Sequence, residues 1–139
     1  MALMVGLLLG IAVGLFGTGT GFDRDRSFYP VIMVVVASYY SLFAVMGAST
    51  QTLIVETLVG AIFVAAAVIG FKSSLWIVVA ALAAHGITDF PHPTVIPNPG
   101  VPAWWPAFCA SIDVAMAAYL AWLLGTGRRS ATLQRDPGR

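Results

Sequence analysis

Three features of the sequence predict an all-α integral membrane bundle. Apolar residues make up 59% of the 139 residues and charged residues only 9%, whereas a soluble domain carries about 25% charged residues. The mean hydropathy is +0.89. Long apolar runs alternate with short polar or proline-rich stretches. We therefore predict five transmembrane helices in the cell membrane, with the N-terminus outside and the C-terminus in the cytoplasm.

The first two predicted spans cover about residues 2–18 and 30–48. In the first span, Gly6, Gly10 and Gly14 recur every four residues and form a groove that suits close packing against another helix. That helix belongs either to the same subunit or to a second copy, so a homo-oligomer through this glycine face is one expectation. Pro30 suits the first turn of the second helix, where its missing N–H would be unpaired in any case.

Three more spans complete the predicted transmembrane domain, which covers residues 1–127. They lie at about residues 51–71, 74–90 and 107–124. Short links separate the second, third and fourth spans, and a proline-rich outer loop, residues 91–106, precedes the fifth. We predict no helix in this loop. Residues 128–139 form a polar cytoplasmic tail.

The basic residues predict the orientation. With five spans, Arg24, Arg26, Lys72 and the arginines of the tail all lie on one side, and the other side has no lysine or arginine. Cytoplasmic loops of membrane proteins carry the excess of basic residues. Trp104 and Trp105 then lie at the outer boundary, where they would anchor the proline-rich loop as a lid over the bundle.

Ionisable residues within three of the spans lie at one depth. At about 1.5 Å per residue, Glu56, His85 and Asp113 fall roughly 6 to 10 Å below the outer boundary. Asp89 lies one turn above His85, and Cys109 one turn above Asp113, on the same helix faces. An isolated charge there costs at least about 2.5 kcal/mol, so these side chains should meet inside the bundle.

Three arrangements satisfy such a group of carboxyls, and the sequence leaves all three open. The first is a divalent metal site for zinc, iron or manganese, held by Glu56, His85, Asp89 and Asp113, with His92 folding back from the loop. If the ion activates water, the protein is a metal-dependent intramembrane hydrolase. The second is a proton-coupled transporter or small-ligand carrier. The third is a structural or accessory subunit with a polar packing core.

Further polar side chains line the same region. Tyr40 and Ser41 lie at mid-depth in the second span, where hydroxyl groups bond across helices or to their own backbone. Cys109 is expected either to pack as a small apolar residue or to bind the ion as a thiolate.

The sequence excludes nucleic acid binding and an internal disulfide. Nucleic acid binding requires a basic face with interleaved aromatic residues, and the chain has none. Cys109 is the only cysteine, so the chain has no internal disulfide. The expected partner is therefore the lipid bilayer.

Three segments resemble those of a group of small bacterial multi-pass membrane proteins: RSFYPVIMVVVASYY, HGITDF and NPGVPAWWPAFC. The resemblance implies a transmembrane bundle over the whole chain and carries no activity with it. There is a looser similarity to the intramembrane zinc amidases that act on ceramide-like lipids, which use aspartate, serine and several histidines. This chain has two histidines, so a three-histidine zinc site is not available within one subunit.

Overall fold

The computed structural model of the protein describes residues 1–47 and 49–127, and these residues form helices and connecting turns without strands. The long helices are α1 (Ala2–Thr20), α2 (Phe28–Met46), α3 (Thr50–Lys72), α4 (Leu75–Asp89) and α6 (Trp105–Gly125). A short 3-10 helix, Phe22–Arg24, follows α1, and a four-residue helix α5, His92–Val95, follows α4. The predicted polar tail, residues 128–139, lies outside the described residues.

Four of the helices, α1, α2, α3 and α6, are long and apolar enough to cross a membrane by length and composition. Helix α4 is also apolar but has 15 residues, which corresponds to about 22 Å of helix against about 30 Å of hydrocarbon. The predicted all-α class and the multi-pass apolar bundle are confirmed. Each long helix begins and ends within two residues of a predicted span.

Local chemistry explains several helix ends. Gly21 has a φ of 80°, a left-handed conformation that favours glycine and ends α1. The hydroxyl of Ser49 accepts a hydrogen bond from the Thr52 N–H at the start of α3, and the hydroxyl of Ser74 accepts one from the Trp76 N–H at the start of α4. Short links therefore suffice to reverse the chain between neighbouring helices.

The glycine face of α1 packs against α6 of the same chain. A Cβ atom added at Gly10 would lie 2.8 Å from Cβ of Ala115, and one added at Gly14 would lie 2.7 Å from the ring of Tyr119. One added at Gly6 would overlap the carbonyl oxygen of Phe108. Helix α6 of the same chain therefore covers these glycines, and the homo-oligomer expected through this face stays a prediction.

Helix α4 lies at the centre of the bundle, in contact with α6, α3 and α2. Gly86 lets α4 approach α6 closely, since a Cβ there would lie 2.9 Å from the carbonyl oxygen of Ala110. Leu82 and Val78 are completely buried on the same side. The polar residues of α4 are thus held against α6 inside an apolar core.

The two ends of the bundle differ in chemistry. At one end the guanidinium of Arg26 donates a hydrogen bond of 2.9 Å to the carbonyl of Ser73, which brings the 23–26 turn beside the link between α3 and α4. We call this the basic end. At the other end, the hydroxyl of Thr52 donates to the carbonyl of Pro97. We call this the proline end.

The proline-rich segment differs from its prediction, because residues 91–106 contain the helix α5 and the first residues of α6. Proline at the start of α5 removes an N–H that would have no partner in the first turn, so it favours the helix there. We expected no helix because the density of prolines excludes a long one. A helix of a single turn is compatible with these prolines.

Candidate metal centre

The candidate metal centre consists of four buried side chains from two facing helices: His85 and Asp89 from α4, and Cys109 and Asp113 from α6. Each pair is spaced four residues apart, so its two side chains lie on one helix face. One ligand atom from each residue lies within 4.8 Å of the others. The four side chains therefore form a compact set of nitrogen, oxygen and sulfur donors.

The closest contact in this centre joins the two helices. Nδ1 of His85 lies 2.7 Å from Oδ2 of Asp113 and 3.9 Å from Oδ2 of Asp89. The thiol of Cys109 lies 3.8 Å from the same Asp113 oxygen. All four residues are at most 4% exposed, so water does not screen these groups.

Two carboxylate oxygens of the centre have no hydrogen bond within the described ranges: Oδ2 of Asp89 and Oδ1 of Asp113. A buried polar atom without a partner costs about 1 to 3 kcal/mol. Both atoms belong to residues that could hold a metal ion. These two acceptors fit a cation, which would satisfy both of them.

Tyr40 on α2 closes one side of the centre. Its hydroxyl donates a hydrogen bond of 2.8 Å to Oδ1 of Asp89, which fixes the orientation of that carboxylate. The ring of Phe63 meets the His85 ring edge-on, with centroids 4.8 Å apart. Ser41 lies away from the centre and pairs with Thr57 at an exposed position. Of the two hydroxyl residues predicted to line the site, the structure brings Tyr40 to it.

Glu56 and His92 form a second cluster. The carboxylate of Glu56 is 3.0 Å from Nε2 of His92 and accepts a hydrogen bond of 2.9 Å from the amide of Asn98. The same amide nitrogen lies 3.1 Å from the carbonyl oxygen of Tyr40. The predicted set of five ligands is thus divided: His85, Asp89 and Asp113 meet, whereas Glu56 and His92 pair with each other.

Tyr40 lies between the two clusters. Its ring stacks on His92 with centroids 3.9 Å apart, while its hydroxyl bonds to Asp89. Depth along each helix places Glu56 and His85 at similar levels but does not reveal a side chain from a third helix between them. Helix rotation about its own axis decides that arrangement.

Asn98 is the residue of this region that the sequence did not predict. It fastens the proline-rich segment to Glu56 and to the backbone of α2. The available signal was that Asn98 is the only carboxamide in residues 91–106. A carboxamide between two prolines is also common in ordinary turns, so the sequence does not distinguish a residue that fastens the segment from an ordinary turn residue.

The two tryptophans at the start of α6 differ in environment. Trp104 is 54% exposed. Trp105 packs against α2, with its ring centroid 4.8 Å from that of Tyr39 and 4.9 Å from that of Phe43. Of the predicted lid residues, Trp105 therefore fastens the proline end to the bundle, and Trp104 projects from it.

The fold and the centre together define a class: a multi-pass apolar helical bundle with a buried histidine, aspartate and cysteine cluster that could hold a metal ion. No family model, curated protein or solved structure matches the chain. The function of the protein is therefore inferred from the chemistry of the site itself.

Proposed function

We propose that the protein is a membrane-embedded metal protein that binds one zinc ion at His85, Asp89, Cys109 and Asp113. The observation that carries the proposal is the pair of unsatisfied carboxylate oxygens, which are buried beside an imidazole and a thiol. Buried polar groups in proteins nearly always have partners. A divalent cation supplies the missing partner to both aspartates at once.

Charge balance supports the same conclusion. Asp89 and Asp113 are at most 1% exposed, and His85 is the basic side chain in contact with them. An uncompensated carboxylate inside a bilayer costs several kcal/mol. A divalent ion neutralises the two carboxylates and so offsets most of that cost; a Cys109 thiolate bound to the same ion would leave one net negative charge beside the imidazole of His85.

The donor set favours zinc over manganese. Zinc accepts mixed sets of imidazole nitrogen, carboxylate oxygen and thiolate sulfur in tetrahedral sites. Manganese prefers sites built from oxygen ligands, and Cys109 contributes sulfur here. The aspartates alone would suit either metal, and the thiol of Cys109 is the ligand that favours zinc.

We further propose that five helices cross the cell membrane, with the proline end outside. Helix α4 runs from the basic end, where Arg26 bonds to Ser73, toward the proline end, where α5 continues the chain. The positive-inside rule assigns the basic end to the cytoplasm. The metal centre then lies near the outer face, below the segment fastened by Glu56 and His92.

Four protein ligands fill a tetrahedral zinc site, so hydrolysis would require one of the four side chains to be displaced, or a fifth ligand to bind, when water or a substrate carbonyl reaches the ion. An ion with such a position can polarise a water molecule or a carbonyl group, which is the chemistry of hydrolysis. The residues of this chain would set the conditions for it. Tyr40 holds Asp89 by a hydrogen bond, Asp113 holds the imidazole of His85, and the ring of Phe63 keeps bulk water from that imidazole. We propose intramembrane hydrolysis as the reaction class that fits this arrangement.

Metal content is the decisive measurement. The parent protein, purified in detergent from zinc-replete cells, should contain one zinc ion per chain by mass spectrometry. His85→Ala and Asp113→Asn should abolish that content, whereas Glu56→Gln should retain it because Glu56 belongs to the other cluster. A parent protein without stoichiometric metal would refute the proposal, and so would an equal loss in Glu56→Gln.

A second candidate function, proton-coupled transport or carriage of a small ligand, is favoured by one observation. Titratable groups follow one another inward from the proline end: His92 with Glu56, then Tyr40, then Asp89 with His85 and Asp113. Proteoliposomes containing the parent should then acidify under a pH gradient, and Tyr40→Phe should reduce the rate. Absence of proton flux and of solute uptake would exclude this function.

A further inference from the structure

The metal centre lies beside the proline-rich segment. Asp89 is the last residue of α4, and α5 begins shortly after it at His92. On α6, Cys109 lies about one turn after Pro106. The four side chains of the centre are at most 4% exposed. A metal ion or a water molecule therefore has to pass other parts of the protein to reach them, and the proline-rich segment borders the centre on both helices.

A cavity of about 90 Å³ lies in the proline-rich segment, and we call it the vestibule. Its lining comes from α5, from the turn that follows α5, and from Pro106 at the start of α6. The imidazole of His92 and the carboxamide of Asn98 are the polar side chains in this lining. One water molecule needs about 10 to 15 Å³ of such space and polar partners. The vestibule is therefore large enough for several water molecules or a small cation, about one turn from Cys109.

His92 connects the vestibule to the metal centre. The residue lines the vestibule, and its ring stacks on the ring of Tyr40 with centroids 3.9 Å apart. The hydroxyl of Tyr40 in turn donates to Oδ1 of Asp89, a carboxylate of the centre. The imidazole is held in this position by Glu56, whose carboxylate lies 3.0 Å from Nε2. Movement of the His92 ring away from Tyr40 would therefore open a path from the vestibule toward Asp89.

Another cavity reaches Cys109 but does not suit an ion. It is an apolar groove among α1, α2 and α6, and its lining contains no charged residue. Its exposed rim includes Val31 and Val35, in a helix that is long and apolar enough to cross a membrane. A charge that leaves water for hydrocarbon loses its hydration, which is strongly unfavourable. A water-soluble ion is therefore expected to come from the proline end instead.

We propose that the vestibule is the entrance for water and small cations to the metal centre and that the ring of His92 is its gate. The gate is closed while Glu56 holds the imidazole against Tyr40, and Asn98 fastens the other side of the vestibule to the same carboxylate. A gate changes the rates of entry and release by the same factor, because it does not alter the energy of the bound ion. Entry of zinc rests on the proposed function, whereas entry of other small cations to Cys109 does not.

The rates of zinc exchange test the gate. Zinc uptake by the metal-stripped protein and zinc release to a chelator are followed in lipid nanodiscs, which leave both ends of the bundle open to water. His92→Ala removes the ring and should accelerate both processes by the same factor, roughly tenfold to hundredfold for the loss of one hydrogen bond to a charged group. The dissociation constant should stay unchanged. Glu56→Ala should act in the same direction, because it releases the imidazole.

Val95→Ala is the matched control, because Val95 belongs to the same short helix, is 69% exposed and does not line the vestibule. It should leave both rates unchanged. Unchanged rates in His92→Ala would overturn the proposal. Faster release with unchanged uptake would overturn it as well, since that result means that His92 stabilises the bound ion instead of controlling its passage.

Silver ions test the route without zinc. Ag⁺ binds thiolates and does not enter hydrocarbon, so its reaction with Cys109 of the metal-stripped protein in nitrate buffer measures the entry of a small cation from water. The blocked fraction is determined by alkylation after denaturation. His92→Ala should accelerate this reaction, and Val35→Trp, which fills the apolar groove, should leave it unchanged. A slower reaction in Val35→Trp without a change in His92→Ala would assign the route to the groove and overturn the proposal.

The two measurements separate this proposal from the metal proposal. Stoichiometric zinc in the parent, with no effect of His92→Ala on the zinc or silver rates, would support the metal centre and refute the gate. A parent protein without zinc, with a faster silver reaction in His92→Ala, would refute the metal proposal and support the gated vestibule.

Discussion

Nδ1 of His85 and Oδ2 of Asp113 lie 2.7 Å apart across the interface of α4 and α6, and both side chains are almost completely buried. This pair fixes the relative position of the two helices that carry the metal centre. It also orients the Asp113 carboxylate so that its second oxygen, Oδ1, is left without a hydrogen bond. Stability and metal binding should therefore be linked through this contact.

Zinc should stabilise the parent protein against thermal unfolding in detergent. A ligand at one hundred times its dissociation constant adds about 2.7 kcal/mol to the free energy of unfolding when it binds only the folded state. The unfolding temperature of the metal-stripped parent should rise on addition of zinc, and that of Glu56→Gln should rise equally. A rise of the same size in Asp113→Asn would contradict binding at the centre.

Tyr40→Phe should weaken zinc binding without abolishing it. The substitution removes the hydroxyl that donates to Asp89, and loss of such a supporting hydrogen bond typically lowers metal affinity by about 10 to 100-fold. Tyr39→Phe is the matched control, because the neighbouring Tyr39 packs against Trp105 instead of bonding to Asp89. Competition with a chelator of known affinity measures both variants. Equal affinities for the parent and Tyr40→Phe would show that Tyr40 does not support the centre.

Glu56→Ala should release the proline-rich segment from the bundle. Glu56 is the shared partner of His92 and Asn98, so its removal breaks both side-chain contacts at once. Hydrogen exchange of the backbone N–H groups of Thr94, Val95 and Ile96 should become faster by roughly tenfold, as expected for the loss of about 1.4 kcal/mol.

The adjacent substitution Thr57→Ala is its control, since Thr57 is exposed and bonds to Ser41 instead. It should leave exchange in the segment unchanged. If Glu56→Ala also leaves hydrogen exchange in the segment unchanged, contacts other than those of Glu56 hold the segment in place.

Gly6→Val should destabilise the protein by about 1 to 3 kcal/mol, the usual penalty for overpacking a close interface. The new side chain would collide with the backbone carbonyl of Phe108 on α6. Gly19→Val should have a much smaller effect, because a Cβ at Gly19 has no atom within 4 Å. Thermal unfolding in detergent compares the two. Equal stabilities would show that α1 does not depend on its glycine face.

Labelling of introduced cysteines in intact cells should reveal the orientation. Thr94 is exposed on the proline-rich segment, and Lys72 is exposed at the basic end, so each is a suitable position for an introduced cysteine. A membrane-impermeant maleimide should label Thr94→Cys directly and Lys72→Cys only after permeabilisation. The buried native Cys109 should remain unlabelled in both. The reverse pattern would place the basic end outside and contradict the proposed topology.

The sequence alone determined where the helices lie along the chain and how far along its helix each polar residue lies. Hydrocarbon offers no partner to backbone N–H and C=O groups, so a long apolar run in a membrane must become a helix. The constant rise per residue then fixes the level of each side chain, and the spacing of four fixes that His85 shares a face with Asp89, and Cys109 with Asp113.

Only the tertiary structure decided which of these residues meet. The rotation of each helix about its own axis depends on contacts between residues far apart in the chain, such as α6 against the glycines of α1 and Gly86 against Ala110. That rotation inserts Tyr40 between Glu56 and Asp89, and the fold of the proline-rich segment carries His92 and Asn98 to Glu56. The position of a residue along its helix is a local property, whereas the contacts of its side chain depend on how the whole bundle packs. The single predicted site is for this reason divided into the metal centre and the cluster of Glu56 and His92.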